Sequence, residues 1–173
     1  MNLIITCARH MEPEASEEIC VILEEMGDPK ASATITDMPG ILTVQTMLDP
    51  FVIIRDTHQK ICDEPWHIRY CLRMIPIQNT TKTDIKEIEK CVDSIREKIL
   101  EKDTYRISIE KRNSNVSSQE LITNIAGIIP NKVSLEKPDK TILIEILGSI
   151  TGIAITQKGD VLSVEKTKRS LSE

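Results

Sequence analysis

At 173 residues the chain is sized for one large domain or two small ones, and a 40% hydrophobic content is enough for a core, which excludes global disorder. The net charge of −5 conceals an asymmetry: residues 1–64 hold four Lys/Arg against twelve Asp/Glu, and residues 65–173 hold eighteen against fifteen. A uniformly basic nucleic-acid binder is thereby excluded, and any contact with a polyanion is expected in the second half.

No run of residues approaches the length of a bilayer span. The start, Met1-Asn2-Leu3-Ile4-Ile5, has neither a basic n-region nor a cleavage site, so a first strand and a cytoplasmic location are expected. The five cysteines, Cys7, Cys20, Cys62, Cys71 and Cys91, form no C-x-x-C and no tight Cys/His spacing, so they are read as buried or half-buried thiols and no metal site is expected. With one Trp, two Tyr and one Phe, aromatic platforms for stacking bases are scarce.

In chain order, Asn2–Ala8 is a short apolar run suited to a central strand. Pro13, the acids Glu12, Glu14, Glu17 and Glu18, and Gly27 bracket a helix whose apolar face is Ala15, Ile19, Ile22, Leu23 and Met26. Strands around Ala33–Asp37 and Ile41–Thr46 meet at the turn Pro39-Gly40. Asp49-Pro50 opens a second helix burying Phe51, Ile54 and Ile61, with His58 on its apolar side, and Arg69–Ile75 closes the set as a strand. The order βαββαβ is that of a ferredoxin-like module over residues 1–77.

Polar Gln78-Asn79-Thr80-Thr81 is taken as a hinge. Thr83-Asp84 opens a long helix with Ile85, Ile88, Val92, Ile95 and Ile99 on one face, and Tyr105–Ile109 alternates as a half-buried strand. Ser117-x-x-Glu120 is a capping box for a helix ending at Pro130. A short strand Val133–Leu135 and a hairpin of Thr141–Leu147 with Ile150–Thr156 follow, and residues 158–173 are taken as a polar tail. The fold class expected is α+β, an α/β sandwich in two modules.

The sequence holds no phosphate-binding glycine loop of the G-x-x-x-x-G-K-[ST] or G-x-G-x-x-G kind and no G-x-S-x-G elbow. Cys7 and His10 are three residues apart, a spacing that by itself does not make a nucleophile and base. No catalytic residue and no cofactor is therefore expected. The candidate site lies instead on the Tyr105 strand and the loop after it, where Arg106, Lys111, Arg112 and Asn113 bring guanidinium, ammonium and amide donors towards the helix opened at Ser117. On local chemistry alone, an RNA-phosphate contact and an ordinary basic loop are equal readings.

Tyr105–Arg112 with its basic end, Ser118-Gln119-Glu120-Leu121-Ile122, Gly127, Val133-x-Leu135 and Pro138-Asp139 before a strand with Glu145 closely resemble a THUMP domain over roughly 80–155. The preceding module is similar to the ferredoxin-like domain that accompanies THUMP. The resemblance implies docking of the acceptor end of tRNA. The Arg112-Asn113-Ser114 segment and Val161–Lys166 are similar to the stand-alone subfamily of tRNA acetyltransferase adaptors, which implies an RNA cytidine acetyltransferase as partner. By carry-over, Lys111 and Arg112 are the first RNA-contact candidates, then Arg106, then Lys137 and Lys140. Lys132, Arg73, Lys166, Lys168 and Arg169 come last. Alternative readings are the RNA-binding subunit of a split tRNA methyltransferase or thiolation enzyme, and a protein-interaction module. No exposed apolar stripe stands out in the sequence, so a monomer is expected.

Overall fold

Alternating apolar residues and two amphipathic helices build the first unit of the computed structural model, which describes all residues from Met1 to Glu173. In chain order the elements are β1 (Leu3–Cys7), α1 (Glu12–Glu25), β2 (Ser32–Ile35), β3 (Ile41–Gln45), α2 (Pro50–Asp63) and β4 (Cys71–Pro76). There follow β5 (Asn79–Lys82), α3 (Ile85–Ile95), β6 (Tyr105–Arg112), α4 (Ser118–Ile128), β7 (Lys140–Leu147) and β8 (Ile150–Thr156). The chain ends with β9 (Leu162–Ser163) and α5 (Val164–Ser170). Two compact units result: Met1–Ile77 with Gly159–Glu173, and Gln78–Lys158.

In the first unit the strand order is β2-β3-β1-β4-β9, with every neighbouring pair antiparallel. The split arrangement, with β3 between β1 and β2, is that of a ferredoxin-like sheet. Leu3 and Ile5 of β1, Leu42 and Val44 of β3 and Met74 of β4 share one core with Ala15, Ile19 and Leu23 of α1 and Ile53, Ile54 and Ile61 of α2. The turn into β3 needs Gly40: its φ is +75°, and a Cβ there would lie 2.6 Å from the Cys7 carbonyl oxygen. The Gly40 N–H donates to Glu12 Oε1 at 2.8 Å, tying the turn to the start of α1.

Residues 158–173, expected as a polar tail, belong largely to this first unit. Arg73 and Met74 of β4 pair with Ser163 and Leu162, and Leu162 and Val164 enter the first core. The Ser163 hydroxyl caps α5 by accepting the Lys166 N–H at 3.4 Å. Only a few apolar positions carry this docking, too few for a periodic signal. His58, expected on the apolar side of α2, is exposed, and Thr57 fills the inward position instead.

The second unit is a four-stranded sheet of order β5-β8-β7-β6 in which β6 and β7 are parallel and the other pairs antiparallel. The presumed hinge at Gln78–Thr81 is in part the edge strand β5, paired through Asn79↔Ile153 to Lys82↔Ile150. Its polar residues suit a strand with one free edge. Ile142, Ile144 and Ile146 of β7 and Ile153 and Ile155 of β8 form a core with Ile88, Val92 and Ile95 of α3 and Leu121 and Ile125 of α4. Both helices therefore cover the same sheet face, giving an α/β sandwich. Asp84 accepts the Glu87 N–H at 3.1 Å to cap α3, and Ser117 accepts the Glu120 N–H at 3.2 Å to cap α4. The long helix expected through Ile99 ends at Ile95 and continues as a 3-10 turn over Arg96–Lys98, where Arg96 Nη1 donates to the Ile128 carbonyl at 3.0 Å.

Candidate nucleic-acid interface

Strand β6 is the edge of its sheet, and its alternation sends Arg106, Ser108, Glu110 and Arg112 to the face opposite the helices, while Tyr105 joins the core. Its two ends are about 23 Å apart by strand rise, and each carries part of the candidate set.

At the start of β6 the chain segment after α4 is pinned alongside. The Tyr105 N–H donates to the Lys132 carbonyl at 3.0 Å, and the Ser134 N–H donates to the Tyr105 carbonyl at 2.9 Å. These bonds make a single parallel bridge between Tyr105 and Val133, where a strand Val133–Leu135 was expected. Arg106 Nη1 donates to the Leu135 carbonyl at 3.3 Å. Asp139 Oδ2 accepts both the N–H and the hydroxyl of Thr104, at 2.8 and 3.0 Å, and the Asp139 N–H donates to the Thr104 hydroxyl at 3.1 Å. The Thr104 backbone N–H, then its hydroxyl, holds the Asp139 carboxyl below the usual aspartate range. The Pro138-Asp139 pair thus acts as a clasp. It sets Lys132 and Lys137 on a pinned segment beside Arg106 of β6, all three exposed, with the exposed side chains of Val133 and Leu135 between the two lysines. Lys140 stands at the same end, opposite Tyr105 in the β6–β7 register, and its Nζ donates to Gln157 Oε1 at 3.2 Å.

Lys102 was missed in the sequence. It lies in the loop held by Asn131, whose Nδ2 donates to the carbonyls of Leu100 at 2.8 Å and Asp103 at 3.0 Å, and it is exposed. The Asn131 bridge and the Tyr105–Lys132 bond bring this loop to Lys132, and spacing in the chain gives no sign of either.

At the far end of β6 the cations are committed to the fold. Arg112 Nη1 lies 3.4 Å from Glu145 Oε2, and the Glu145 side chain is fully buried. Glu145 faces Glu110 directly across the β6–β7 ladder, so the guanidinium also offsets a like-charge pairing. Lys111 is exposed, but its Nζ donates to the Val116 carbonyl at 2.8 Å and closes the loop before α4. Asn113 is a turn residue with φ +53°, and the Gly148 N–H donates to the Arg112 carbonyl beside it at 2.9 Å. The candidates therefore do not converge on one spot: Arg106, Lys132, Lys137 and Lys140 gather at one end, and Lys111, Arg112 and Asn113 at the other.

The weaker candidates fall in the first unit. Arg73 is half-buried in β4, Lys168 Nζ donates to the Ile68 carbonyl, and Arg169 Nη2 lies 2.7 Å from Glu165 Oε1. Cys7 is buried, and burial first, then Glu12 and Glu14, pushes its thiol above the ordinary range, the opposite of an activated nucleophile. No group of three or more His, Cys, Asp or Glu side chains is arranged to hold a metal ion, and no helix is long and apolar enough to cross a membrane.

Residues 82–156 match the family model described as the THUMP domain, so the second unit carries a THUMP domain. The chain is 25% identical over 188 residues to THUMP domain-containing protein 1 of Bos taurus, covering 94% of this chain and 53% of that protein. It is 27% identical over 167 residues to the Mus musculus protein of the same name, covering 84% of this chain and 47% of that protein. The chain spans about half the length of the curated relatives it matches. Among solved structures, PH1313 from Pyrococcus horikoshii Ot3 superposes with a TM-score of 0.68 at 15% identity, over 91% of this chain and 55% of that one. A 4-thiouridine synthetase solved as an RNA complex with bound ATP superposes with a TM-score of 0.60 at 13% identity, over 94% of this chain and 42% of that one. At these identities the structural likeness concerns the fold alone.

Proposed function

We propose that the protein is a cytoplasmic tRNA-binding adaptor that presents the acceptor end of tRNA to a separate RNA cytidine acetyltransferase. The observation that carries the RNA half is the exposed cation group of Arg106, Lys132 and Lys137, held rigid by the Thr104–Asp139 clasp within a THUMP domain. A similar fold solved in complex with RNA supports it. The adaptor half rests on the resemblance of Arg112-Asn113-Ser114 and Val161–Lys166 to the stand-alone adaptor subfamily.

The chemistry is positioning. Lysine and arginine contacts to phosphates fix the register of the RNA, and shape rather than groove sequence is read. Residues 78–158 carry thirteen Lys/Arg against twelve Asp/Glu, and the first unit nine against fifteen, so binding is weak and salt-sensitive and is completed by the partner enzyme.

A mobility-shift titration with intact tRNA and with tRNA lacking its 3′ end, at low and moderate salt, tests the RNA half. Salt-sensitive binding weakened by the truncation is expected; no shift at any salt overturns it. Cytidine acetylation of tRNA by the acetyltransferase, with and without this protein, tests the adaptor half. Unchanged acetylation, with a methyltransferase co-purifying instead, would replace the adaptor by the split-enzyme reading.

A further inference from the structure

The first unit carries a surface along α1 that lies outside the cation group proposed to meet RNA. Two adjoining concavities, of about 210 and 350 Å³, share Ile22 and His67 in their walls. Their apolar lining includes Val21 and Tyr70, both exposed, and the turn residue next to His67 is Trp66, the only tryptophan of the chain, 67% exposed. Glu14, Glu17, Glu25 and Asp56 line the same hollows. The lysine there is already engaged, with Lys60 Nζ 3.0 Å from Glu64 Oε2, and the His67 ring nitrogen Nε2 lies 3.6 Å from Glu25 Oε2. Glu18 is also spent internally, accepting the N–H groups of Arg69, Tyr70 and Cys71 at 2.8 to 3.0 Å.

Two polar atoms of these hollows lack a hydrogen-bond partner. One is Glu14 Oε2, in the larger hollow, and the other is Thr57 Oγ1, in the smaller, on a side chain only 2% exposed. Enclosed acceptors without a donor are uncommon in native proteins, and an incoming N–H relieves their cost. The acids from Glu14 to Glu25 run about 16 Å along α1, the length of three helical turns.

We infer that this α1 face docks a basic amphipathic helix of a protein partner, with apolar residues on Val21, Ile22 and Tyr70 and Lys or Arg side chains reaching Glu14, Glu17 and Glu25. The charge selects the occupant: a phosphate backbone would meet the same carboxylates and be repelled. Helix-in-groove docking supplies both the apolar contact and the register for the cations.

Trp66 gives a native readout on the full chain. A 14-residue Leu/Lys peptide of amphipathic helical pattern is titrated in, against a Leu/Glu peptide of the same pattern, unstructured polylysine and tRNA. A saturable blue shift of Trp66 emission with the Leu/Lys peptide alone is expected. Glu17→Lys and Val21→Asp, both at exposed positions, weaken it at least tenfold with far-UV circular dichroism unchanged. Asp37→Lys, an equal charge change at an exposed residue of the first unit away from the hollows, leaves it unaltered. An equal response to the Leu/Glu peptide or to polylysine, an affinity indifferent to Glu17→Lys and Val21→Asp, or a loss as large in Asp37→Lys overturns the inference. Saturation of the Trp66 signal by tRNA would assign the face to RNA and overturn it likewise. Because every variant lies in the first unit, failure here is separate from failure of RNA binding through the second.

Discussion

The two ends of β6 hold cations of the same kind and put them to different uses. At the end of the strand, Arg112 is drawn to a fully buried Glu145 and Lys111 to the Val116 carbonyl, so both serve the fold. At its start, Arg106 makes one bond to the Leu135 carbonyl, and Lys132 and Lys137 stand exposed on a segment fixed by backbone bonds and the Asp139 clasp. A basic residue in a loop is thus left exposed or bound as a structural counter-ion according to what lies across the sheet from it. The strongest sequence pattern, Lys111-Arg112, sits where the fold already employs its charge.

Breaking the structural end has the largest expected effect. Arg112→Ala leaves the Glu145 carboxylate buried without its guanidinium and lowers stability by about 2–3 kcal/mol, the range for a broken buried pair discounted for the partial exposure of Arg112. In a unit of this size that is about 10–20 °C in the melting midpoint, measured by circular dichroism. A midpoint within a degree of the parent's would show that the pair contributes nothing and would return Arg112 to the pool of free cations. It follows that tRNA affinity lost in a joint change of Lys111 and Arg112 cannot by itself mark an RNA site.

Breaking the exposed end comes next. Arg106→Glu with Lys132→Glu is expected to weaken tRNA binding about tenfold or more and to flatten the salt dependence by about 0.7–0.9 per cation removed. The melting midpoint should move by no more than a degree or two, since both side chains are exposed. Binding unchanged by this pair would move the RNA contact away from the start of β6.

The periodicity that builds the two cores was legible in the sequence. Ile19, Leu23, Ile53 and Ile61 recur at helical spacing, Tyr105–Ile109 alternates, and the Asp49, Asp84 and Ser117 caps follow from side-chain chemistry. What escaped was held by few or distant residues. Strand β9 has two residues, and β5 is a polar edge whose only signature is its partner β8. The candidate site divided for the same reason. Arg112 and Glu145 are 33 positions apart, and the sequence reveals neither that they meet nor that Lys132 is bonded beside Arg106. The charge asymmetry pointed to the second half of the chain but could not separate the two ends of the strand.

The clasp that keeps the exposed end rigid gives a pH-dependent prediction. The folded-state pKa of Asp139 is lowered by the Thr104 N–H and hydroxyl, so its contribution to stability is present in full above the unfolded aspartate value of about 3.9 and is lost as pH falls through the folded value. Asp139→Asn removes that charge at all pH. Its melting midpoint should therefore lie below the parent's at pH 7 and approach it as pH falls below the unfolded aspartate value and through the lower folded one. A gap that stays constant over this range would mean that the carboxylate charge is irrelevant and only the shape of the side chain matters.

The smallest effect is expected at Lys111. Its bond to the Val116 carbonyl is made by an exposed ammonium, and such bonds contribute at most about 0.5–1 kcal/mol. Lys111→Met keeps the aliphatic stem and removes the charge. Stability should shift by less than about 1 kcal/mol, and tRNA affinity by less than the Arg106/Lys132 pair moves it. The same variant made in an Arg106→Glu, Lys132→Glu background sharpens the contrast. If the start of β6 alone meets RNA, Lys111→Met costs nothing further there. If instead it costs a second tenfold in affinity at unchanged melting midpoint, Lys111 leaves Val116 when RNA binds, and the contact extends along the whole strand to the N-terminus of α4.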